Sequence, residues 1–226
     1  MGRLAVILGS SALGPGGEQI AVAAAEHGAA IVQRHGGGDP YVLPHRIDHE
    51  ANLRPLAEQG VDRVLAISSV GSLKPELPVG TLVCPDDFIA LHLDHSIYDD
   101  ARAHSAPSFD QELREEAIAA WAAGGQQPVG GGVYWQAVGP RFETPAEIRL
   151  MAAHADVVGM TVGSECVVAG ELGLSYAALC MVDNLANGLG PAKLEVTELE
   201  RDRAANAALL RDGLEAVLPR LGAVGR

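Results

Sequence analysis

Three pairs of side chains that could do chemistry accompany short apolar runs in the second half of the chain. They are Phe142-Glu143 after residues 133–138, Met160-Thr161 at the end of residues 156–160, and Asp183-Asn184 after residues 175–182. Because binding sites in open α/β sheets gather where strands end, we expect the three pairs to meet. They offer an aromatic face, a carboxylate, a hydroxyl and an amide, which suit a flat heterocycle joined to a polar group.

Polar residues in the first half of the chain suit an oxyanion. Ser11 follows the apolar run 4–8 in a Gly-Ser turn, and Ser68-Ser69 follow the run 64–67. Such a turn after a buried strand can present amides and hydroxyls to a phosphate, although a plain turn is the alternative. Arg34 precedes His35 and three glycines, so it is either an anion ligand or a solvent-facing loop arginine.

Strand and helix patterns alternate along the chain, which predicts an α/β fold with one domain over residues 1–226 and a central mixed sheet flanked by helices. A capping box of Thr144 and Glu147 marks one helix start. The other predicted helices cover residues 52–59, 108–123 with a capping box of Ser108 and Gln111, 164–172, and 197–218 before Pro219. Residues 20–25 and 29–33 are read as paired strands, with a helix over 18–25 as the alternative.

The composition excludes several functions. A net charge of −13 and a pI near 4.9 argue against nucleic-acid binding, since such a surface repels polyanions. No apolar run reaches the ~20 residues of a membrane helix, and the N-terminal run is too short for a signal peptide. Three scattered cysteines indicate reduced thiols in a cytoplasmic protein. His92, Asp94 and His95 have no helical ligand spacing, so we expect no metal site there.

The segments GPRFETPAE and ADVVGMT, with the strand that ends in a polar pair, resemble the trimeric purine nucleoside phosphorylases. The methylthioadenosine/methylthioinosine phosphorylase branch is the most similar. The resemblance implies a role in purine salvage by phosphorolysis, in which phosphate attacks C1′ of a nucleoside and the purine leaves. Phosphate is then a co-substrate, and no metal or organic cofactor is needed. A homotrimer, or a dimer of trimers, is implied by the family.

The resemblance also assigns roles to single residues. The phosphate ligands it implies are Ser11, Arg34, His35, His45, Ser68, Ser69 and Thr161. Met160 would lie against the ribose and Phe142 would stack on the base. His104 matches a family histidine that reaches into the neighbouring subunit's site. The alternative for Thr161 is a helix cap. The alternative for Met160 and Phe142 is packing in the core.

Two positions indicate whether the base is a 6-oxopurine or adenine. Glu143 and Asn184 match the pair in 6-oxopurine enzymes of the family, where the carboxylate accepts from N1–H and the amide donates to N7 or O6. A shift of one residue would place Asp183 in the role of the aspartate that protonates N7 in the adenine-specific branch. That alternative makes the chain a methylthioadenosine phosphorylase.

The group at the 5′ end of the nucleoside is the second feature of the substrate that the sequence indicates. Inosine-type enzymes of the family hold the 5′-hydroxyl with a histidine ahead of the last helix, whereas this chain has Leu194, Val196 and Leu199 there. An apolar pocket favours a 5′-methylthio group, so the sequence predicts 5′-methylthioinosine as substrate. A nucleosidase that uses water and a catalytically silent nucleotide-binding protein are the remaining alternatives.

Overall fold

A computed structural model describes residues 3–10, 22, 26–36, 40–190 and 196–223. The side chains at 196–205, 207, 222 and 223 are outside that description. Within these ranges, no helix combines the length and the apolar character needed to cross a membrane.

The structure is a mixed β-sheet with α-helices packed on both faces. The strands are β1 (Arg3–Leu8), β2 (Ala30–Gln33), β3 (Val61–Ser72), β4 (Leu82–Cys84), β5 (Asp87–Ile89), β6 (Val129–Gly130), β7 (Val133–Gln136), β8 (Val157–Gly159) and β9 (Ser175–Leu185). The helices in the described ranges are α1 (His49–Glu58), α2 (Gln111–Ala123), α3 (Pro145–Ala152), α4 (Val162–Glu171) and α5 (Val196–Ala223).

Strand β3 is the centre of the sheet. It pairs in parallel with β9 along one side, from Arg63 to Ser72. On its other side the first half pairs in parallel with β1, and the last two residues pair antiparallel with β8. The main path of the sheet is β5-β7-β8-β3-β9-β4-β6, with β2 added to β1. The predicted central mixed sheet flanked by helices is therefore confirmed.

Side chains of successive residues on β3 point to opposite faces of the sheet and enter two separate cores. Leu65 and Ile67 pack on the face covered by α2 and α5, where Trp121 is fully buried. Val64 and Ala66 pack on the other face, which α1 and α4 cover. Because both faces are apolar, the strand is buried throughout its middle, as expected for a parallel strand between two helix layers.

Capping side chains mark the helix starts, and they confirm one predicted start and correct another. Thr144 and Glu147 form the predicted capping box at the start of α3. Helix α2 starts at Gln111, because Asp110 accepts from the Leu113 amide at 2.8 Å; the predicted start at Ser108 is wrong. Asp48 caps α1 in the same way, so the helix that includes residues 52–58 begins at His49.

Helix α5 extends past its predicted end. It runs through Pro219 to Ala223, and Leu218 and Leu221 are both buried against the sheet. A proline removes one backbone hydrogen bond, and this loss in the last turns is offset by the burial of the two leucines. The prediction that the helix stops before Pro219 is therefore wrong.

The segment before β2 lies largely outside the described residues, which exclude 11–21 and 23–25. Val22 and Glu26 are helical. Strand β2 confirms the strand predicted at 29–33 and pairs in parallel with β1, which is the pairing of a strand-helix-strand unit rather than of a hairpin.

Candidate functional site

A pocket lies beside the end of β3, between the ends of β8 and β9 and the turn before α3. The residues that line it are Ser10, Arg34, His35, Tyr41, Pro44, Ser68, Ser69, Val70, Gly71, Phe142, Glu143, Val158, Gly159, Met160, Thr161, Asn184, Ala186 and Asn187. The three polar pairs expected to meet are thus brought together, except that Asn184 lines the pocket and Asp183 does not.

Ser68 and Ser69 reach the pocket from within a strand. The predicted strand end at Ile67 is wrong, because β9 continues to pair with β3 as far as Ser72. Ser68 is buried at the pocket wall. The Ser69 hydroxyl donates to Asp183 Oδ2, so its own side chain is engaged within the protein.

Strand β9 has a β-bulge at Asp183, the residue before Asn184. Val182 lies opposite Val70, and the next pair is Asn184 opposite Gly71, so Asp183 is the extra residue on β9. Bulges next to active sites redirect a side chain. Here Asn184 reaches the pocket and donates through Nδ2 to Leu185 O at 2.8 Å. A Cβ atom at Gly71 would lie only 3.3 Å from Asn184 Nδ2, so glycine leaves room for the amide.

Arg34 is buried at the pocket wall and paired with Glu165 of α4. Nε donates to Glu165 Oε1 at 2.5 Å, Nη2 to Oε2 at 2.8 Å and Nη1 to Ile67 O at 3.0 Å. Burial disfavours the charged guanidinium, but the Glu165 carboxylate more than offsets this and raises the pKa of Arg34. Arg34 is therefore a permanent buried cation beside the pocket.

Gly9 makes the position of Arg34 possible. A Cβ atom at residue 9 would collide with the Arg34 guanidinium and approach Ile67 O to 2.8 Å. The Gly9 amide also donates to Ile67 O at 3.0 Å, which holds the turn after β1 against β3. Glycine is thus required at position 9 for steric reasons. The predicted phosphate ligand Ser11, in the same turn, lies outside the described residues.

Thr161 occupies the N-cap of α4 without using its hydroxyl as a cap in the described structure. The first amides of the helix instead donate to Tyr134 Oη, from Thr161 N at 3.2 Å and from Val162 N at 3.4 Å. Thr161 lines the same pocket as Arg34 and Ser68. A buried cation, two hydroxyl side chains and a helix N-terminus together suit an anion.

Phe142 and Glu143 also line the pocket. Phe142 is 41% exposed, while Glu143 is only 8% exposed. Burial raises the pKa of the Glu143 carboxyl. Asn187 Nδ2 donates to the Glu143 carbonyl at 2.9 Å and ties this turn to the segment after β9. The pocket therefore holds an aromatic residue and a shielded acceptor together with Asn184.

The histidines divide between the pocket and its surroundings. His35 lines the pocket, stacks on Tyr41 at 4.4 Å between ring centroids, and lies 2.8 Å from Val42 O through Nδ1. His45 lines a second cavity that shares Pro44 and Met160 with the pocket. His104 is exposed and lies outside the pocket lining of its own chain. The predicted 5′ contact Leu194 is outside the described residues.

The acid that binds Arg34 was missed by sequence reasoning. Glu165 is the one acidic residue in the buried run 162–169, and that isolation in an apolar helix was the available signal. Among the described residues, no group of three metal-ligating side chains is placed to hold a metal ion.

Comparison with known proteins agrees with this site. The profile of the Phosphorylase superfamily matches residues 12–219. A probable 6-oxopurine nucleoside phosphorylase from Archaeoglobus fulgidus is 42% identical over 179 residues, which cover 79% of this chain and 73% of that protein. A probable S-methyl-5′-thioinosine phosphorylase from Methanocaldococcus jannaschii is 37% identical over 179 residues, which cover 77% of this chain and 70% of that protein.

The fold has a counterpart among solved structures. The methylthioadenosine phosphorylase from Schistosoma mansoni, in complex with adenine, superposes with a TM-score of 0.81 at 20% identity. The superposition covers 99% of this chain and 93% of that chain, which is a likeness of fold. On the profile match and the sequence relatives, the chain belongs to the phosphorylase superfamily.

Proposed function

We propose that the chain catalyses the phosphorolysis of a purine nucleoside to a free base and a sugar 1-phosphate. One observation carries the proposal: Arg34 and Thr161, which suit an anion, line the same pocket as Glu143 and Asn184, which suit a base. The reaction needs phosphate beneath C1′ and a purine held while negative charge develops on it. No metal or organic cofactor has a role in this chemistry.

At the phosphate end, Arg34 supplies the charge and Ser68 and Thr161 supply hydroxyl donors. The N-terminus of α4 adds its aligned amide dipoles. Ser11 and His35 are further ligands in this proposal. Met160, which lines the same pocket, lies against the ribose. The phosphate oxygen that attacks C1′ is thereby held in place before the glycosidic bond breaks.

At the base end, the chemistry favours a 6-oxopurine. The Glu143 carboxylate accepts from the N1–H of hypoxanthine or guanine, whereas adenine would present a lone pair there. The Asn184 amide donates to N7 or O6 as charge develops. Asp183 is the candidate acid in the adenine alternative, but its carboxylate faces Asn206 of α5 and the Ser69 hydroxyl. The placement of Asn184 therefore supports the 6-oxopurine reading.

For the 5′ end we propose a methylthio group, which makes 5′-methylthioinosine the preferred substrate. The apolar residues ahead of α5 support this, as does the name of the Methanocaldococcus jannaschii relative. A cytoplasmic homotrimer, or a dimer of trimers, belongs to the same proposal, with His104 reaching into the neighbouring subunit's site. The fold shared with the Schistosoma mansoni enzyme keeps methylthioadenosine as the second candidate.

A nucleoside panel tests the proposal. Release of base from 5′-methylthioinosine, inosine, methylthioadenosine and adenosine is measured with and without phosphate. We expect phosphate-dependent turnover, with the highest kcat/KM for 5′-methylthioinosine. A higher kcat/KM for methylthioadenosine would replace the 6-oxopurine assignment by the adenine one. Turnover without phosphate would indicate a nucleosidase, and no turnover with any of the four would indicate a binding protein.

A further inference from the structure

Glu165 is a buried acid with three donors directed at it. Its side chain is 1% exposed, and it accepts two hydrogen bonds from Arg34 and one from Tyr176 Oη at 2.7 Å. The bidentate pair fixes both the distance and the plane of the guanidinium, because the two parallel N–H bonds must match the two carboxylate oxygens.

The hydrogen bonds of Arg34 leave a defined part of its guanidinium for a ligand. Arginine has five N–H donors, and three of them are directed at Glu165 and Ile67 O. Nη1 and Nη2 each keep one N–H beyond those bonds. Glu165 takes the side formed by Nε and Nη2, which leaves these two N–H groups as the donors that Arg34, a residue of the pocket wall, has for a ligand.

Helix α4 carries both Glu165 and Thr161. Thr161 is the N-cap of the helix and Glu165 lies one turn later, where its amide donates to Thr161 O at 3.1 Å. The helix therefore fixes the distance between the Thr161 hydroxyl and the carboxylate that holds Arg34. Two anion ligands from distant parts of the chain are set relative to each other by one rigid element.

We propose that Glu165 is a positioning residue for the phosphate co-substrate: it orients Arg34 so that the free N–H groups of the guanidinium meet phosphate opposite the Thr161 hydroxyl. The inference rests on the proposed function and adds a residue to it. Glu165 itself does not touch the substrate.

The direction in which phosphate affinity changes when the Glu165 charge is removed distinguishes this role from a simple charge effect. The Arg34–Glu165 pair has no net charge, so removal of the negative charge would tighten phosphate binding if only the local potential mattered. If orientation matters more, the same change weakens binding, because the guanidinium is freed to rotate. The Glu165→Gln variant keeps the size of the side chain and distinguishes the two.

The experiment measures phosphate binding directly and in turnover. Calorimetric titration with inorganic phosphate is compared between the wild type, Glu165→Gln and Glu171→Gln, followed by KM for phosphate and for nucleoside. Glu171 is a matched control at the end of α4, because it accepts from Ser96 Oγ and the Ile97 amide away from the pocket. We expect Glu165→Gln to weaken phosphate binding about tenfold, with little change in nucleoside KM, since a charge-assisted hydrogen bond is lost.

A second variant covers the case in which Glu165→Gln does not fold. Tyr176→Phe removes one hydrogen bond to Glu165 and leaves Arg34 untouched, so we expect a smaller loss of phosphate affinity, about twofold to fivefold. Unchanged or tighter phosphate binding in the folded variants overturns the inference. If the wild type binds phosphate without any phosphorolysis, the proposed function fails while the binding comparison still tests Glu165.

Discussion

The Asn206 side chain of α5 donates to Asp183 Oδ1 at 2.7 Å and to Val182 O at 3.2 Å. Asp183 is the bulge residue of β9, and the next residue, Asn184, lines the pocket. The last helix is thus bonded to the bend that directs the base-binding amide. Asn206 is 4% exposed and Asp183 is fully buried, so this link is shielded from water.

Replacing Asn206 by leucine tests this link. The change removes the Asn206 donor from the buried Asp183 carboxylate, at a cost of about 2–3 kcal/mol. For a chain of this length we expect Tm to fall by about 5–10 °C. Nucleoside affinity should fall as well, because Asn184 is less firmly held. Leu209→Gln, on an exposed position of the same helix, is the control in the thermal melts. An Asn206→Leu variant as stable as the control would show that the link does not hold the helix.

The carboxylate of Glu143 should discriminate between bases. Glu143→Gln removes the negative charge and replaces one of the two acceptor oxygens at the N1 edge by an NH2 donor, so we expect kcat/KM for 5′-methylthioinosine to fall about 100-fold. The loss for methylthioadenosine should be smaller, because adenine has no N1–H to donate. Steady-state kinetics with both substrates measure the ratio. Glu76→Gln, at an exposed turn, serves as the control. An equal loss for both substrates would remove Glu143 from base recognition.

Local signals in the sequence predicted part of this structure. The Thr144 capping box and the polar strand ends depend on neighbours within a few residues, and they placed Glu143 and Thr161 correctly in one pocket. The Arg34–Glu165 pair joins residues 131 positions apart, so no local pattern indicates it. The bulge at Asp183 depends on the register between two strands, which tertiary packing decides. For the same reason, the continuation of β3 past Ile67 was missed.

His49 should make stability depend on pH. It is 3% exposed, and burial lowers the pKa of His49 to about 4. The charged or titratable groups that face it are Glu165, Arg34, His95 and Asp48. An unfolded histidine titrates near 6.5, so between about pH 6.5 and 4 the unfolded state binds more protons than the folded state.

Stability therefore falls as the pH falls through that window, by up to about 3 kcal/mol, and the contribution of His49 is constant above and below it. Urea unfolding at pH 7.5 and pH 4.5 measures the difference. In His49→Phe that difference should shrink, whereas His154→Gln, at an exposed site, should keep it. An identical pH dependence in His49→Phe and the wild type would contradict the assignment.

Removing one partner of the buried Arg34–Glu165 pair should lower the free energy of unfolding more than removing both partners. Arg34→Met leaves the buried Glu165 carboxylate with the Tyr176 hydroxyl as its hydrogen-bond donor and His49 Nδ1 3.9 Å away, and Glu165→Met leaves the guanidinium with Ile67 O. Each single change should lower the free energy of unfolding by about 3–5 kcal/mol. The double variant replaces both charges by apolar side chains, so its loss of unfolding free energy should be smaller than that of either single variant.

Urea denaturation of the wild type, the two single variants and the double variant measures these free energies and completes the double-mutant cycle. Additive losses would mean that the two charges are stabilised independently, and a double variant that is stable yet fails to bind phosphate would show that the pair is retained for the anion rather than for the fold.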